Sequence, residues 1–367
     1  MTVTTKRRPS PRAALSGIAL ALLCLLWLLP TVGLLVSSFR TADDVRSTGW
    51  WTVLPHRDWR TVATIEPGKD IDRNGIMEFA GVSGTFEELR AGLVAADGRR
   101  VIWLGNRRLG TVQVQELQWK SNLSLTVSNY ENVLTGKQYE ITNERGVTET
   151  LRGDDLSNAF LNSLAVTLPS VLLPLVVGAF AAYGFAWVRF PGRTALFALV
   201  VTLLVVPLQI SLVPVLSDYV RIDLNGTYLA VWLAHAGFGL PLAIYLLYNY
   251  IASLPRELLE AAMVDGASHL TIFWRIVVPL SGPILASYAI FQFLWVWNDY
   301  LVALIFIGSQ PNVQVLTMRL AEIVGSRGND WHLLTAGAFV SMILPFAIFF
   351  ALQRHFVRGL TAGSVKS

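Results

Sequence analysis

The residues able to do chemistry inside long apolar runs are few. Asp299 is the only Asp, Glu, Lys or Arg between Ile276 and Met318, and His235 is the only titratable group of its kind in the run 224–255. Trp295, Trp297 and Asn298 stand beside Asp299. Together they offer aromatic faces and hydrogen-bonding groups, which a polyol or a sugar needs on its way through a protein. The same residues can instead pack helices, with the indoles at an interfacial belt. Gln209 and Asn162 are weaker polar candidates. A helix starting near Pro283 would carry Asn298 about 22 Å along its axis, into its outer half. An acid at that depth is costly unless it faces water, a ligand or a partner.

A second constellation reads Glu260-Ala261-Ala262-Met263-Val264-Asp265-Gly266-Ala267, followed by Phe273, Ile276, Pro279 and Pro283. Leu254-Pro255-Arg256-Glu257 opens a short helix, with proline near the first turn and a carboxylate at the positive end of the dipole. Gly266 suits a left-handed C-cap. A second short helix runs from Ser268 to about Val277 and ends before Pro279. The small side chains of Ala261, Ala262 and Ala267 leave a close-contact surface for another protein. The alternative is an amphipathic segment lying in the membrane interface without a partner.

Several constellations are missing from the sequence. It has no phosphate-cradling G-x-x-x-x-G-K-[ST], no H-E-x-x-H, no G-x-S-x-G and no Cys/His metal spacing. Nothing supports catalysis or a resident metal. The single cysteine, Cys24, forms no disulfide within the chain.

The elements that must hold these residues are membrane helices. Apolar residues make up 53% of the 367, charged residues only 15%, and mean hydropathy is +0.50. That excludes disorder, a fibre and a disulfide scaffold, and argues against a soluble enzyme. The basic pI does not point to nucleic acid, because Lys and Arg sit mostly at the edges of apolar runs. Six runs are long enough to span: 13–36, 159–188, 194–217, 224–255, 284–307 and 331–353. Pro174, Pro207, Pro241 and Pro345 fall within them. Membrane helices tolerate this where neighbours re-satisfy the freed carbonyls. The first run is too long for a signal-peptide core and lacks an A-x-A site, so it is read as an uncleaved helix. Placing the N-terminus inside puts eleven Lys and Arg in inside segments against three (Arg221, Arg319, Arg327) in short outside loops. Both termini are therefore expected in the cytoplasm.

The expected organisation is a cytoplasmic N-terminus at 1–12, a first helix at 13–38 and an extracytoplasmic segment at 39–157. A core of five helices follows at 158–353 and a tail at 354–367. The stretch 39–157 holds no spanning run. "RRVIWLG" and "TVQVQELQW" alternate as strands do, so a small β-rich domain is expected there. The fold class is an all-α integral membrane protein with this insertion between helices one and two.

The cytoplasmic segment 251–283 resembles the EAA loop of the membrane subunits of binding-protein-dependent ABC importers, in the form found in sugar importers. Asn162-Ser163, the Trp297-Asn298-Asp299 element and the tail Gln353–Ser367 resemble the MalG-type subunits. The insertion between Trp50-Trp51 and Asn129-Tyr130 resembles the α-glucoside permeases of the AglG type. The resemblance implies a permease in the bacterial cell membrane, working with a MalF-type membrane partner, a dimer of ABC ATPases and an extracytoplasmic solute-binding protein. ATP and Mg²⁺ would sit on the ATPase, with no cofactor on this chain. Glu260, Ala261, Ala262, Asp265, Gly266, Ala267, Phe273, Ile276 and Pro279 would form the ATPase-coupling loop. Trp295, Trp297, Asn298, Asp299 and Gln209 would line the substrate path. The outer loop 309–331, with Arg319, Glu322, Arg327 and Trp331, would contact the binding protein. The substrate would be an α-glucoside or another oligosaccharide. Other readings are an importer of a different small solute, a receptor sensing a ligand through 39–157, and a carrier working without an ATPase.

Overall fold

The computed structural model describes residues 11–68, 71–136, 138–142, 148–152, 155–308, 310, 312–327 and 330–362. The expected N-terminus 1–12 lies largely outside the described residues, as do 363–367 of the expected tail 354–367 and the Arg327 side chain, while 354–362 are helical. The chain divides into two compact units: residues 1–36 with 43–125, and residues 37–42 with 126–367.

The first unit carries α1 (Pro11–Ser38), α2 (Ala42–Ser47), β1 (His56–Ile65), β2 (Met77–Phe79), β3 (Val82–Gly84), α3 (Phe86–Ala91), β4 (Leu93–Val94), β5 (Arg100–Leu104) and β6 (Thr111–Lys120). The two segments read as strands, now β5 and β6, pair antiparallel in a four-stranded sheet of order β1-β6-β5-β4. Val101, Trp103, Val112 and Val114 alternate inward, and Trp103 takes the edges of Phe79 and Phe86. Thr85 and Glu88 form a reciprocal capping box on α3. The Thr85 backbone N–H and hydroxyl both donate to the Glu88 carboxylate, holding its pKa below the usual carboxylate value.

The second unit begins with α4 (Ser128–Thr135), a hairpin of β7 (Gln138–Thr142) and β8 (Thr148–Arg152), and α5 (Leu156–Trp187). Then follow α6 (Arg193–Thr202), α7 (Leu208–Arg221), α8 (Tyr228–Ile251), α9 (Arg256–Val264), α10 (His269–Ile272), α11 (Val278–Leu280) and α12 (Gly282–Trp297). The chain closes with α13 (Leu301–Ile307), α14 (Leu316–Arg327) and α15 (Trp331–Ala362). Among the described residues four helices are long and apolar enough to cross a membrane: 15–38, 156–187, 228–251 and 331–353. Two further pairs pass the same test only together, and both are bent.

One of those bends and one further break correct two expected spans. The run 194–217 breaks at Val206-Pro207, where 193–205 and 208–221 meet at 105°. Proline pushes the preceding residue out of the helical region, and Val206 accordingly has ψ 120°. The run 284–307 is not one helix either. It stops at Trp297 and resumes at Leu301. There Asn298 Nδ2 donates to the Leu294 carbonyl, while the Asp299 carboxylate accepts from the N–H groups of Val302 and Ala303. Short polar side chains thus take over the backbone's own partners. Toward the N-terminus α12 meets the helical segment 269–280 at 75°. That segment also overruns the expected stop before Pro279. A π-turn, with Val278 N–H donating to the Phe273 carbonyl, widens the helix just ahead of the proline and lets it continue to Leu280.

Packing within this unit is close. A Cβ on Gly178 of α5 would sit 2.7 Å from Ala243 Cβ of α8, so only glycine allows this approach. Prolines interrupt several helices, and three of the carbonyls they free are met by named donors. Pro169 cannot donate to the Ala165 carbonyl, which instead accepts from Trp232 Nε1–H at 2.9 Å. Pro174 frees the Ser170 carbonyl, which accepts from Gln292 Nε2 at 3.3 Å. Pro345 frees the Ser341 carbonyl, which accepts from Trp297 Nε1–H at 2.9 Å. Water cannot do this in hydrocarbon, so donors from neighbouring helices must.

This pairing makes a testable claim. Trp297→Phe removes the donor together with part of a buried ring, and should cost the roughly 1 kcal/mol of the bond on top of the packing lost, measured by reversible unfolding in bicelles. Pro345→Ala gives the Ser341 carbonyl back its own helical donor. In that background Trp297→Phe should cost about 1 kcal/mol less, only the packing loss remaining. Equal costs in both backgrounds would refute the assignment.

Candidate functional site

The loop 251–283 is built by two different surfaces of one short motif. Leu259, Ile272, Phe273 and Val277 are buried, packed with Ala182, Tyr183, Leu247 and Ile251 of α5 and α8. The Tyr183 hydroxyl and His269 Nδ1, 2.8 Å apart, pin the start of α10 to α5. α9 ends in a Schellman motif: Ala267 N–H bonds the Ala262 carbonyl, and Gly266 N–H bonds the Met263 carbonyl. Gly266 has φ 82°, the left-handed conformation, and its Cβ position is open. The Ser268 hydroxyl accepts from Thr271 N–H and starts α10.

What the buried face leaves outward is unusual for a loop. Leu258, Met263, Val264 and Leu270 are exposed, Val264 at 87%. Glu260, Ala261, Asp265, Gly266 and Pro279 are exposed with them, while Ala262, Ala267 and Ile276 are half-buried and Phe273 is buried. A contiguous apolar surface with carboxylates at its edge fits a protein partner better than water.

The expected pathway residues do not form one group. Trp297 is 3% exposed, its ring lies against Phe293 and Phe160, and its donor is taken by Ser341. Asn298 caps α12 through Leu294. Gln209 is exposed in the first turn of α7. Asn162 is committed to structure. It donates to the carbonyls of Asn312 and Gln314 and accepts from the Tyr228 hydroxyl. Trp295 lines a cavity. That cavity, about 460 Å³, also takes in Leu208, Ser211, Tyr219 and Phe238.

Behind Trp295 lies a polar cluster. His235 is fully buried, edge-on to the Trp295 ring, with Nε2 3.6 Å from the Asp299 carboxylate. Neither His235 ring nitrogen has a hydrogen-bond partner among the described residues. Gln292 Nε2 donates to the His235 and Ser170 carbonyls. The Tyr288 hydroxyl lies 3.0 Å from the Gly239 carbonyl and 3.2 Å from Gln292 Oε1. Gln292 and Tyr288 are not among the residues the sequence singles out. The available signal was a lone amide in an apolar run opposite a proline-bearing helix.

Residues 165–362, more than half of the chain, match the model of the binding-protein-dependent transport system inner membrane component. This chain belongs to that family. The matched stretch holds the whole loop and the whole polar cluster, and it makes the protein an inner-membrane component of a transport system rather than an enzyme. Among curated relatives, the "Osmoprotective compounds uptake permease protein GgtD" of Synechocystis is 45% identical over 95% of this chain and 91% of its own. The "Alpha-glucoside transport system permease protein AglG" of Rhizobium meliloti is 43% identical over 98% of both. The "Melibiose/raffinose/stachyose import permease protein MelC" of Bacillus subtilis is 37% identical, over 58% of this chain and 76% of its own. In this transport component the Asp299 carboxylate caps α13 and faces His235.

Asp299→Asn retains a carbonyl acceptor for the cap and should leave folding in detergent nearly unchanged. Asp299→Ala removes the cap and should cost about 1 kcal/mol. If Asn is as damaging as Ala, charge toward His235 rather than capping is what the fold needs.

Proposed function

We propose that this chain is one of two membrane subunits of an ABC importer for sugars, with an α-glucoside or another oligosaccharide as its substrate. The observation that carries the reading is the identity with AglG over nearly the full length of both chains. The substrate class named for MelC points the same way. A second reading, a small osmoprotective solute, rests on the printed name of GgtD. In the importer reading each bent pair counts as a span, giving six. The bias of Lys and Arg supports both termini on the cytoplasmic side.

The loop 251–283 is then the coupling element. Glu260 and Asp265 rim its apolar surface, and a cation on the ATPase is the natural partner for Glu260. ATP and Mg²⁺ belong to that ATPase, and a binding protein delivers sugar from outside. Nucleotide drives the cycle only by binding one conformation better than the other. The buried face of the loop carries that preference into α5 and α8. On the pathway side, Trp295 is the candidate substrate contact, with His235 and Asp299 behind it. Trp297, Asn298 and Gln209 remain weaker candidates, the first two being used in packing and capping.

Gly266→Pro and Glu260→Lys should both abolish sugar uptake without preventing insertion. Proline cannot take φ 82°, and lysine would set a cation against the partner's cation. Copurification of the ATPase and sugar-stimulated hydrolysis are the readouts. Normal values for both variants would sink the coupling role, as a partnerless interfacial helix predicts.

The segment between the first two spans is proposed to be extracytoplasmic and outside the pathway. The support is local. Where the chain leaves the second unit after Ala42 and returns at Thr126, Asn129 Nδ2 donates to the Ser38 and Arg40 carbonyls at 2.8 Å. Thr126 N–H also bonds the Phe39 carbonyl. This tie closes the core without residues 43–125. Replacing 50–120 with a short flexible linker should therefore leave a membrane-inserted core that still binds the ATPase. Failure of the remaining spans to insert would overturn the proposal.

A further inference from the structure

The sheet of the first unit has two unlike faces. Val101, Trp103, Val112 and Val114 turn into the core. On the opposite face the register pairs are Thr64–Gln113, Thr61–Gln115, Trp59–Leu117 and Arg57–Trp119. This outer face is graded along the strands. At one end the Thr61 hydroxyl and Gln115 Nε2 both donate to Gln113 Oε1, so threonine and amides satisfy one another. At the other end Leu117 is 40% exposed and Trp119 70%. The Arg57 guanidinium lies over the Trp119 ring at 5.7 Å, pairing a cation with the exposed indole. Beyond this end Trp51, Leu54 and Leu123 are exposed as well. The core-side face of the same strand ends carries Asp58, Gln118 and Lys120 instead.

The apolar end is the one next to α1. Trp50 packs on that helix, since a Cβ on Gly33 would lie 2.5 Å from Trp50 Nε1. Trp51 meets Trp50 edge-on, with ring centroids 6.3 Å apart. Asn122 N–H donates to the Thr52 carbonyl at 2.8 Å, so the segments entering β1 and leaving β6 are tied together beside α1. α1 also marks where the hydrocarbon ends. Its apolar run begins at Leu15, and a core about 30 Å thick takes about 20 residues at 1.5 Å each. The boundary then falls close to Gly33, which puts Trp50 and Trp51 at headgroup level, where indoles are favoured. A change from amide to indole along one face, running toward a membrane helix, is what a water–lipid boundary selects. A protein partner has no need of it. We propose that this end of the first unit, with Trp51, Leu54, Leu117, Trp119 and Leu123, is seated in the phospholipid interface around α1. Arg57 reaches the lipid phosphates, while Asp58, Gln118 and Lys120 stay in water. The insertion is thereby held down on the bilayer rather than carried free on a tether. The claim needs only that α1 spans the membrane, so it does not rest on the sugar-importer reading.

The test uses the full-length protein, purified with its native subunits, in nanodiscs of phosphatidylethanolamine and phosphatidylglycerol. Cys24→Ser removes the one native thiol. Nitroxide labels are then placed one at a time through Leu54→Cys, Trp119→Cys and Leu123→Cys. Two controls are Asp58→Cys, on the opposite face of the same strand end, and Thr64→Cys, at the polar end of the same face. All five positions are exposed, so the labels should leave the sheet folded. Those at 54 and 123 also report with both indoles in place. Collision with oxygen, which concentrates in lipid, is compared with collision with a polar nickel chelate, which lipid excludes. The oxygen-to-nickel ratio at 54, 119 and 123 should exceed that at 58 and 64 several-fold. Equal ratios at all five positions would mean that the face lies in water and would overturn the proposal. Exclusion of both reagents at 54, 119 and 123 would mean that a protein covers the face, and would overturn it as well.

Discussion

In the hydrocarbon core a backbone carbonyl without a donor has no water to turn to. This constraint orders the second unit. Pro169, Pro174 and Pro345 each remove a donor, and Trp232, Gln292 and Trp297 each supply one from another helix. A proline on one helix and a donor on its neighbour therefore act as a pair that fixes register. Each bond is modest, on the order of 1 kcal/mol. Their larger effect is selective, because sliding one helix past another breaks several at once. The same constraint decides which polar residues remain for function. Trp297 and Gln292 are committed to carbonyls, whereas His235 and Trp295 are not seen to be.

The loop obeys the opposite logic. At the membrane surface water is at hand, so its backbone is satisfied by a Schellman turn and a serine cap, both local devices. Its apolar residues divide into two sets. Leu259, Ile272, Phe273 and Val277 anchor it to α5 and α8, while Leu258, Met263, Val264 and Leu270 are left outside. A segment rigidly tied on one side and apolar on the other can pass a push inward only if something covers the outer set. That is why the loop is the part of this chain that most requires a partner.

Much of this was legible in the sequence. The glycine turn, the helix start at Pro255 and the apolar helices follow from local chemistry that acts over a few residues. What escaped was tertiary. A hydropathy window sees 194–217 and 284–307 as continuous, because Pro207 and Asn298-Asp299 change direction without changing apolarity. Pro279 reads as a stop in the sequence because the π-turn before it has no signature in composition. Most of the expected pathway residues are neighbours in sequence. Helical rotation then sends Trp295 to a cavity and Trp297, two positions on, into the packing against α15.

The positions of the breaks limit how the second unit can move. α12 is held to α5 and α8 by Gln292 and to α15 by Trp297 at its last residue, so these four helices are tied together. A push on the loop cannot slide α12 along its neighbours without losing those bonds. It can rotate the tied group as a body, provided the ends of α12 give. They are where the helix is already interrupted. At one end lies the 75° bend at Ser281, next to a π-turn, and at the other the gap between Trp297 and Leu301. The Asp299 carboxylate spans that second gap, bonded to the N-terminus of α13 and 3.6 Å from an otherwise unbonded imidazole. A weak contact at a hinge, beside strong ties within the body, is the arrangement that permits rigid-body rocking and resists shear.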